Sequence, residues 1–146
     1  MPALSGRIDP QHGATVFVTI SQTPEYVDAL KRAGRMPSMP VSVLGILDTG
    51  ASGSALDSQI IARMSLLYRD NVAIHTPSSG PNLIFRDQFD ATLALGDSGS
   101  PPLAVTVQVI ECEFASRGFF ALIGRDILDR CILTYDGPAQ TFTLSW

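Results

Sequence analysis

The chain has little charge, few cysteines, few histidines and no long apolar run. Charged residues are only 16% of 146 positions, against ~25% in an average soluble domain. With 45% apolar residues, that scarcity excludes a disordered chain, which is polar and highly charged. The 10 Lys and Arg residues are scattered, with no basic run beyond Lys31-Arg32, and the net charge is −4. Nothing neutralises a line of phosphates, so nucleic acid is not an expected partner. No Gly-rich loop has phosphate-binding spacing. His12 and His75 are the only histidines and lie in no ligand-like spacing, so no metal or other cofactor is expected and both are read as surface residues. His75 near Ser78 does not make a Ser-His-Asp hydrolase. Count alone permits one disulfide between Cys112 and Cys131, while their apolar surroundings favour free buried thiols. No apolar run approaches the ~18 residues of a membrane span, and the Met1 end lacks a charged segment followed by an apolar one. No membrane association is therefore expected, and the expected location is cytoplasmic.

What is present is a series of short β-branched runs. A chain of 146 residues reads as one domain, with enough buried surface for a core without staples. The apolar excess also leaves surface for a partner subunit to cover. Residues 1–13 read as irregular because of Pro2, Gly6 and Pro10. Residues 14–20 read as a strand. Thr23-Pro24-Glu25 opens a helix that Gly34 ends, and two prolines make 36–40 an extended linker. A strand over 41–47 follows, then a helix over 58–67 capped by Asp57 with Ile60, Ile61, Met64 and Leu67 on one side. Strands are expected over 69–74, 83–85, 89–95 and 103–110, with turn clusters at 75–82 and 96–102. Asp87 and Asp90 are expected to face solvent, and Phe119 and Phe120 to lie in the core. A strand over 119–124, a short helix over 125–130 and a terminal hairpin over 131–146 complete an all-β reading with one or two short helices.

One stretch organises this pattern. Leu44-Gly-Ile-Leu-Asp-Thr-Gly-Ala-Ser52 delivers a single carboxylate, Asp48, from an apolar strand onto a Thr-Gly turn. Downstream, Phe120-Ala-Leu-Ile-Gly-Arg-Asp-Ile-Leu128 places Gly124 76 positions after Asp48. Together the two blocks resemble the active-site turn and the later Gly-Arg-Asp/Asn segment of retropepsin-like (retroviral-type) aspartic proteases. The resemblance covers 41–146, with 1–40 as an N-terminal extension packed on or leading into that domain. It implies a closed or partly closed barrel-like acid-protease fold and an aspartic endopeptidase. In such an enzyme Asp48 is catalytic and Thr49, Gly50, Ala51 and Ser52 form the active-site loop. Gly124, Arg125 and Asp126 support it, and the turn at His75, Thr76, Pro77, Ser78, Ser79 and Gly80 is the flap over a peptide or protein substrate. Pro77 and Pro81 flank Gly80 and imply a stiffer flap than the Gly-rich viral ones.

The chemistry explains why one copy of the motif is not enough. Two carboxylates at hydrogen-bond distance cannot both ionise, so they share a proton. The ionised one deprotonates water while the protonated one donates to the substrate carbonyl. This chain has one Asp-Thr-Gly and is too short for two lobes. A homodimer with Asp48 facing its counterpart across a twofold axis is therefore expected, with the 141–146 strand, or that over 14–20, as candidate for an intersubunit sheet. Ala51 lacks the hydroxyl that two-lobed relatives often carry, which implies a less acidic working pH. Ser52 stands where many retroviral enzymes have an Asp that pairs with the later Arg. Arg125 must then use Asp126, Asp129 or backbone carbonyls. The alternatives are a catalytically inactive dimerisation or peptide-binding module of the same fold, and an unrelated β-domain with a chance match.

Overall fold

Alternating burial along successive strands builds the fold, which the computed structural model describes for residues 1–76 and 80–146. The elements in order are β1 (Ala3–Asp9), β2 (Gly13–Ser21), α1 (Pro24–Arg32), β3 (Val41–Leu47), β4 (Ala55–Asp57), α2 (Ser58–Met64), β5 (Leu67–Ile74), β6 (Ile84–Leu95), β7 (Leu103–Cys112), β8 (Ala121–Ile123), α3 (Arg125–Leu128), β9 (Ile132–Asp136) and β10 (Thr141–Ser145). A 3-10 turn at Ala115–Arg117 lies between β7 and β8. In β2, Ala14, Val16, Val18 and Ile20 point inward while Phe17 and Thr19 are exposed, the period of a half-buried strand.

The sheet order is β5-β6-β7-β4-β8-β3-β2-β1-β10-β9, and a further pairing of β2 with β6 closes six of these strands into a barrel. The all-β barrel expectation is met, with three short α-helices among the described residues rather than one or two. Inside lie Val18, Ile20, Leu56, Leu93, Val109 and Ile123, none of them accessible to solvent. Gly45 lets β3 and β8 approach closely, since a Cβ there would meet the Ala121 side chain and carbonyl at 3.3 Å.

Several local expectations are corrected. Residues 1–13 are not irregular: β1 pairs with β10 from Ala3↔Ser145 to Arg7↔Thr141. Pro2 and Pro10 flank the strand rather than interrupt it, and Gly6 leaves room for the Phe142 ring, which a Cβ would meet at 2.8 Å. The second helix ends at Met64, because Ser65 takes the left-handed conformation at φ 48° and turns the chain into β5. Leu67 therefore sits exposed on that strand, and Leu66 takes the buried place. The strands expected separately over 83–85 and 89–95 are one, β6. Asp90 is half-buried and takes a bidentate bridge from Arg69, with the Nη2–Oδ2 pair at 2.8 Å, while Asp87 accepts from Asn71 Nδ2 at 2.9 Å. Cys112 and Cys131 are free and half-buried, and burial pushes both thiols up from their ordinary value.

Residues 1–40 contribute to the same sheet, and β2 is a barrel strand. Among the described residues no helix is long and apolar enough to cross a membrane.

Candidate active site

Asp48 is placed by the ladder between β3 and β8. The two strands run parallel, pairing Gly45↔Ala121, Ile46↔Leu122 and Leu47↔Ile123. The ladder continues one residue beyond β3, as the Asp48 N–H donates to the Ile123 carbonyl at 2.9 Å. The chain then turns sharply. The Ala51 N–H donates to the Asp48 carbonyl at 3.3 Å, and the Gly50 N–H donates to carboxylate Oδ1 at 2.8 Å. A Cβ at Gly50 would lie 3.1 Å from that oxygen, so a glycine keeps the carboxylate uncrowded. Asp48 is half-buried, and Thr49, Gly50 and Ser52 are exposed beside it. The result is one carboxylate held from a rigid strand end, open on the solvent side.

The later block braces this turn. The Arg125 N–H donates to the Ala51 carbonyl at 2.9 Å, and its guanidinium Nη1 donates to the Thr49 carbonyl, also at 2.9 Å. Arg125 thus uses backbone carbonyl partners rather than the Asp126 or Asp129 carboxylate. Asp126 instead accepts twice from Ser54, from the N–H at 3.0 Å and from Oγ at 2.7 Å. Ser54 Oγ in turn accepts from the Gly124 N–H at 3.0 Å. Gly124 is the tightest point: a Cβ there would fall 2.5 Å from the Gly53 carbonyl oxygen. Gly124, Arg125 and Asp126 thus all touch the Asp48 loop or the residues just after it. Ser54 was missed in the sequence, although it is fully buried and joins both blocks. A small polar residue in Ala51-Ser-Gly-Ser54 carries no signal of its own.

A row of apolar side chains runs beside Asp48. Register places Ile46 next to Leu122, Leu122 next to Ala55, and Ala55 next to Ile110, across β3, β8, β4 and β7. In-register neighbours share a face of the sheet. These four residues belong to a second apolar cluster, apart from the barrel core, that includes buried Phe114 and Phe119. The two rings stack with centroids 4.8 Å apart. Arg117 lies over the Phe119 ring at 5.3 Å, and the His12 ring meets it edge-on at 5.4 Å. His12 is therefore half-buried against this loop rather than a free surface residue. The β1–β2 turn holds it there: the N–H groups of His12 and Gln11 both donate to Asp9 Oδ1 at 2.8 Å, which keeps that carboxyl below its ordinary value.

Asp57, which the sequence marks only as a helix cap, organises the same region. Its carboxylate caps α2 through the Gln59 N–H at 2.9 Å. It also accepts from the N–H groups of Phe114 at 2.6 Å and Ala115 at 2.8 Å. Burial pushes this carboxyl up, but the Phe114, Gln59 and Ala115 amides outweigh burial and hold it below its ordinary value.

The flap expectation falls on the β5–β6 hairpin. His75, Thr76 and Gly80 lie at its end, Gly80 with φ +61°, while Pro77, Ser78 and Ser79 fall outside the described residues. Phe85 and Leu83 are exposed on the β6 side of that end. A groove of about 880 Å³ lies between α1, strands β5 to β7 and the side chains of Asp126 and Arg130, and Asp48 does not line it. Among the described residues no group of three or more His, Cys, Asp or Glu side chains is arranged to hold a metal ion.

Comparison with known protein families finds no matching family model, and comparison with curated proteins finds no match.

Proposed function

We propose that this chain is an aspartic endopeptidase that acts as a homodimer, with one Asp48 carboxylate from each subunit. The observation that carries the reading is the contact between two distant sequence blocks. The Gly124-Arg125-Asp126 segment folds against the Asp48 turn through Arg125 to Ala51 and Thr49, 76 residues apart in the second case. A lone surface Asp-Thr-Gly turn needs no such brace. Rigid support of a reacting group is what catalysis requires, because small misplacements cost rate steeply.

In the proposed reaction the paired Asp48 side chains share one proton. The ionised carboxylate takes a proton from water, which attacks the peptide carbonyl. The protonated one donates to the carbonyl oxygen, giving a tetrahedral gem-diol. Collapse passes a proton to the leaving nitrogen and breaks the C–N bond. The Gly50 N–H on Oδ1 orients each carboxylate. The apolar row from Ile46 to Ile110 receives a substrate side chain, and the β5–β6 hairpin covers an extended peptide.

The test is hydrolysis of a peptide library between about pH 3 and about pH 7, comparing wild type with Asp48→Asn. Loss of cleavage in the variant, with activity per chain falling on dilution, supports the reading. Equal cleavage by both proteins rejects it.

A second reading, a catalytically silent module of the same fold, has one observation in its favour. The C-terminal strand β10 has β1 on one edge and β9 on the other, and β2 lies between β3 and β1 in the sheet order and also pairs with β6. Neither candidate for an intersubunit sheet offers a free edge, and the ends of the sheet order are β5 and β9. A folded chain that cleaves no peptide at any protein concentration would favour this reading.

A further inference from the structure

We propose that Asp57 is a positioning residue whose second carboxylate oxygen latches residues 113–120 over the apolar row beside Asp48, setting the wall that receives a substrate side chain. The inference rests on the peptidase reading for its functional half, and on geometry alone for the latch. Asp57 is 1% exposed. A buried carboxylate is costly unless fully hydrogen-bonded, so its placement needs a reason.

Helix capping is not that reason. Ser, Thr or Asn cap as well as Asp, with a single oxygen. Here Oδ1 alone serves α2, through Gln59. Oδ2 is given wholly to the loop, accepting from both Phe114 and Ala115. The Asp57 backbone N–H also donates to the Phe120 carbonyl at 2.8 Å. One residue therefore grips the loop at both ends. The Phe120 N–H completes the attachment by donating to Leu44 of β3 at 2.9 Å. Between these grips lie the stacked rings of Phe114 and Phe119, which pack with Ile46, Ala55 and Leu122. Ile46 is two residues before Asp48 on the same strand, and Leu122 is its neighbour in register. Asp57 pairs in register with Cys112 of β7, and Cys112 shares a pocket with Arg86, Glu111, Glu113 and Ser58, the residue after Asp57. Arg86 engages the Cys112 thiol, and Asp57 acts on that thiol through charge.

The two oxygens can be separated by mutation. Asp57→Ser keeps a cap for α2 and removes Oδ2. Asp57→Asn keeps one oxygen for the cap and turns an N–H donor toward the loop amides. Hydrogen exchange at Phe114 and Ala115 should accelerate about tenfold or more in both variants, while the amides within α2 keep their wild-type rates. KM for peptides with an apolar residue at the cleaved bond should rise about fivefold, kcat should change less than about twofold, and discrimination between apolar side chains should shrink. Phe119→Leu, which leaves the latch intact, should shift KM and discrimination the same way with wild-type exchange at Phe114. Unchanged exchange in the Asp57 variants overturns the latch. Faster exchange with unchanged KM and discrimination overturns the positioning role. Wild type that cleaves no peptide removes the functional half together with the peptidase reading, and the exchange rates still decide the latch.

Discussion

At the scale of single residues, the site depends on atoms that have no room to move. Gly124 is the sharpest case, since any Cβ would enter the Gly53 carbonyl. Gly124→Ala should lower stability by about 1–3 kcal/mol, the usual cost of overpacking a close contact. Thermal melting measures it, and an unchanged midpoint would show that the 51–54 segment can yield. Ser54 carries a different kind of constraint. Its buried hydroxyl links the Gly124 N–H to the Asp126 carboxylate. Ser54→Ala leaves both without that partner and should cost about 1–3 kcal/mol. If Ser54→Ala melts like wild type, water has replaced the hydroxyl. Neither cost could be read from the sequence. Gly124 and Arg125 stood out there through the motif they complete, but the carbonyl they crowd belongs to a residue 71 positions away. Ser52 in place of an acidic residue shows in the sequence that Arg125 needs another partner, but only the fold brings the Thr49 carbonyl to it.

At the scale of elements, the strands were legible wherever β-branched residues alternate, as in β2, or crowd both faces, as in β3. The edges were less so. β1 was hidden because Pro2, Gly6 and Pro10 read as breakers; two of them only bound the strand, and the third makes space for Phe142. The helix after Asp57 was read too long because Leu66 and Leu67 continue its apolar pattern, and a left-handed Ser65 gives no clear mark in sequence. The cap at Asp57 was legible, whereas its hold on the loop was not, since Phe114 lies 57 residues on. That hold sets an acid limit. The folded carboxyl sits below its ordinary value, so its stabilisation is present at pH above the ordinary carboxylate range and is lost as pH falls through the folded value. Wild type should lose stability on that acid side, and Asp57→Ser should show a flatter dependence in the same window. Equal slopes in urea melts across the acid range would contradict the assignment.

At the scale of the whole molecule, the six-strand barrel is completed within one chain, and so is the terminal sheet of β1, β10 and β9. Folding should therefore not wait for a partner. Refolding rates measured at two protein concentrations about a hundredfold apart should coincide, as unimolecular folding requires. A rate that rises with concentration would mean that the strands complete their core only in the dimer.

The terminal sheet closed inside one chain carries a consequence for regulation. A subunit that needs no companion to be whole can be kept in a dormant, fully assembled form. If the paired-carboxylate chemistry holds, each molecule carries half a catalyst, and hydrolysis at low abundance grows with the square of the number of molecules present. The switch would then be crowding itself: output stays negligible while copies are sparse and rises abruptly where they gather.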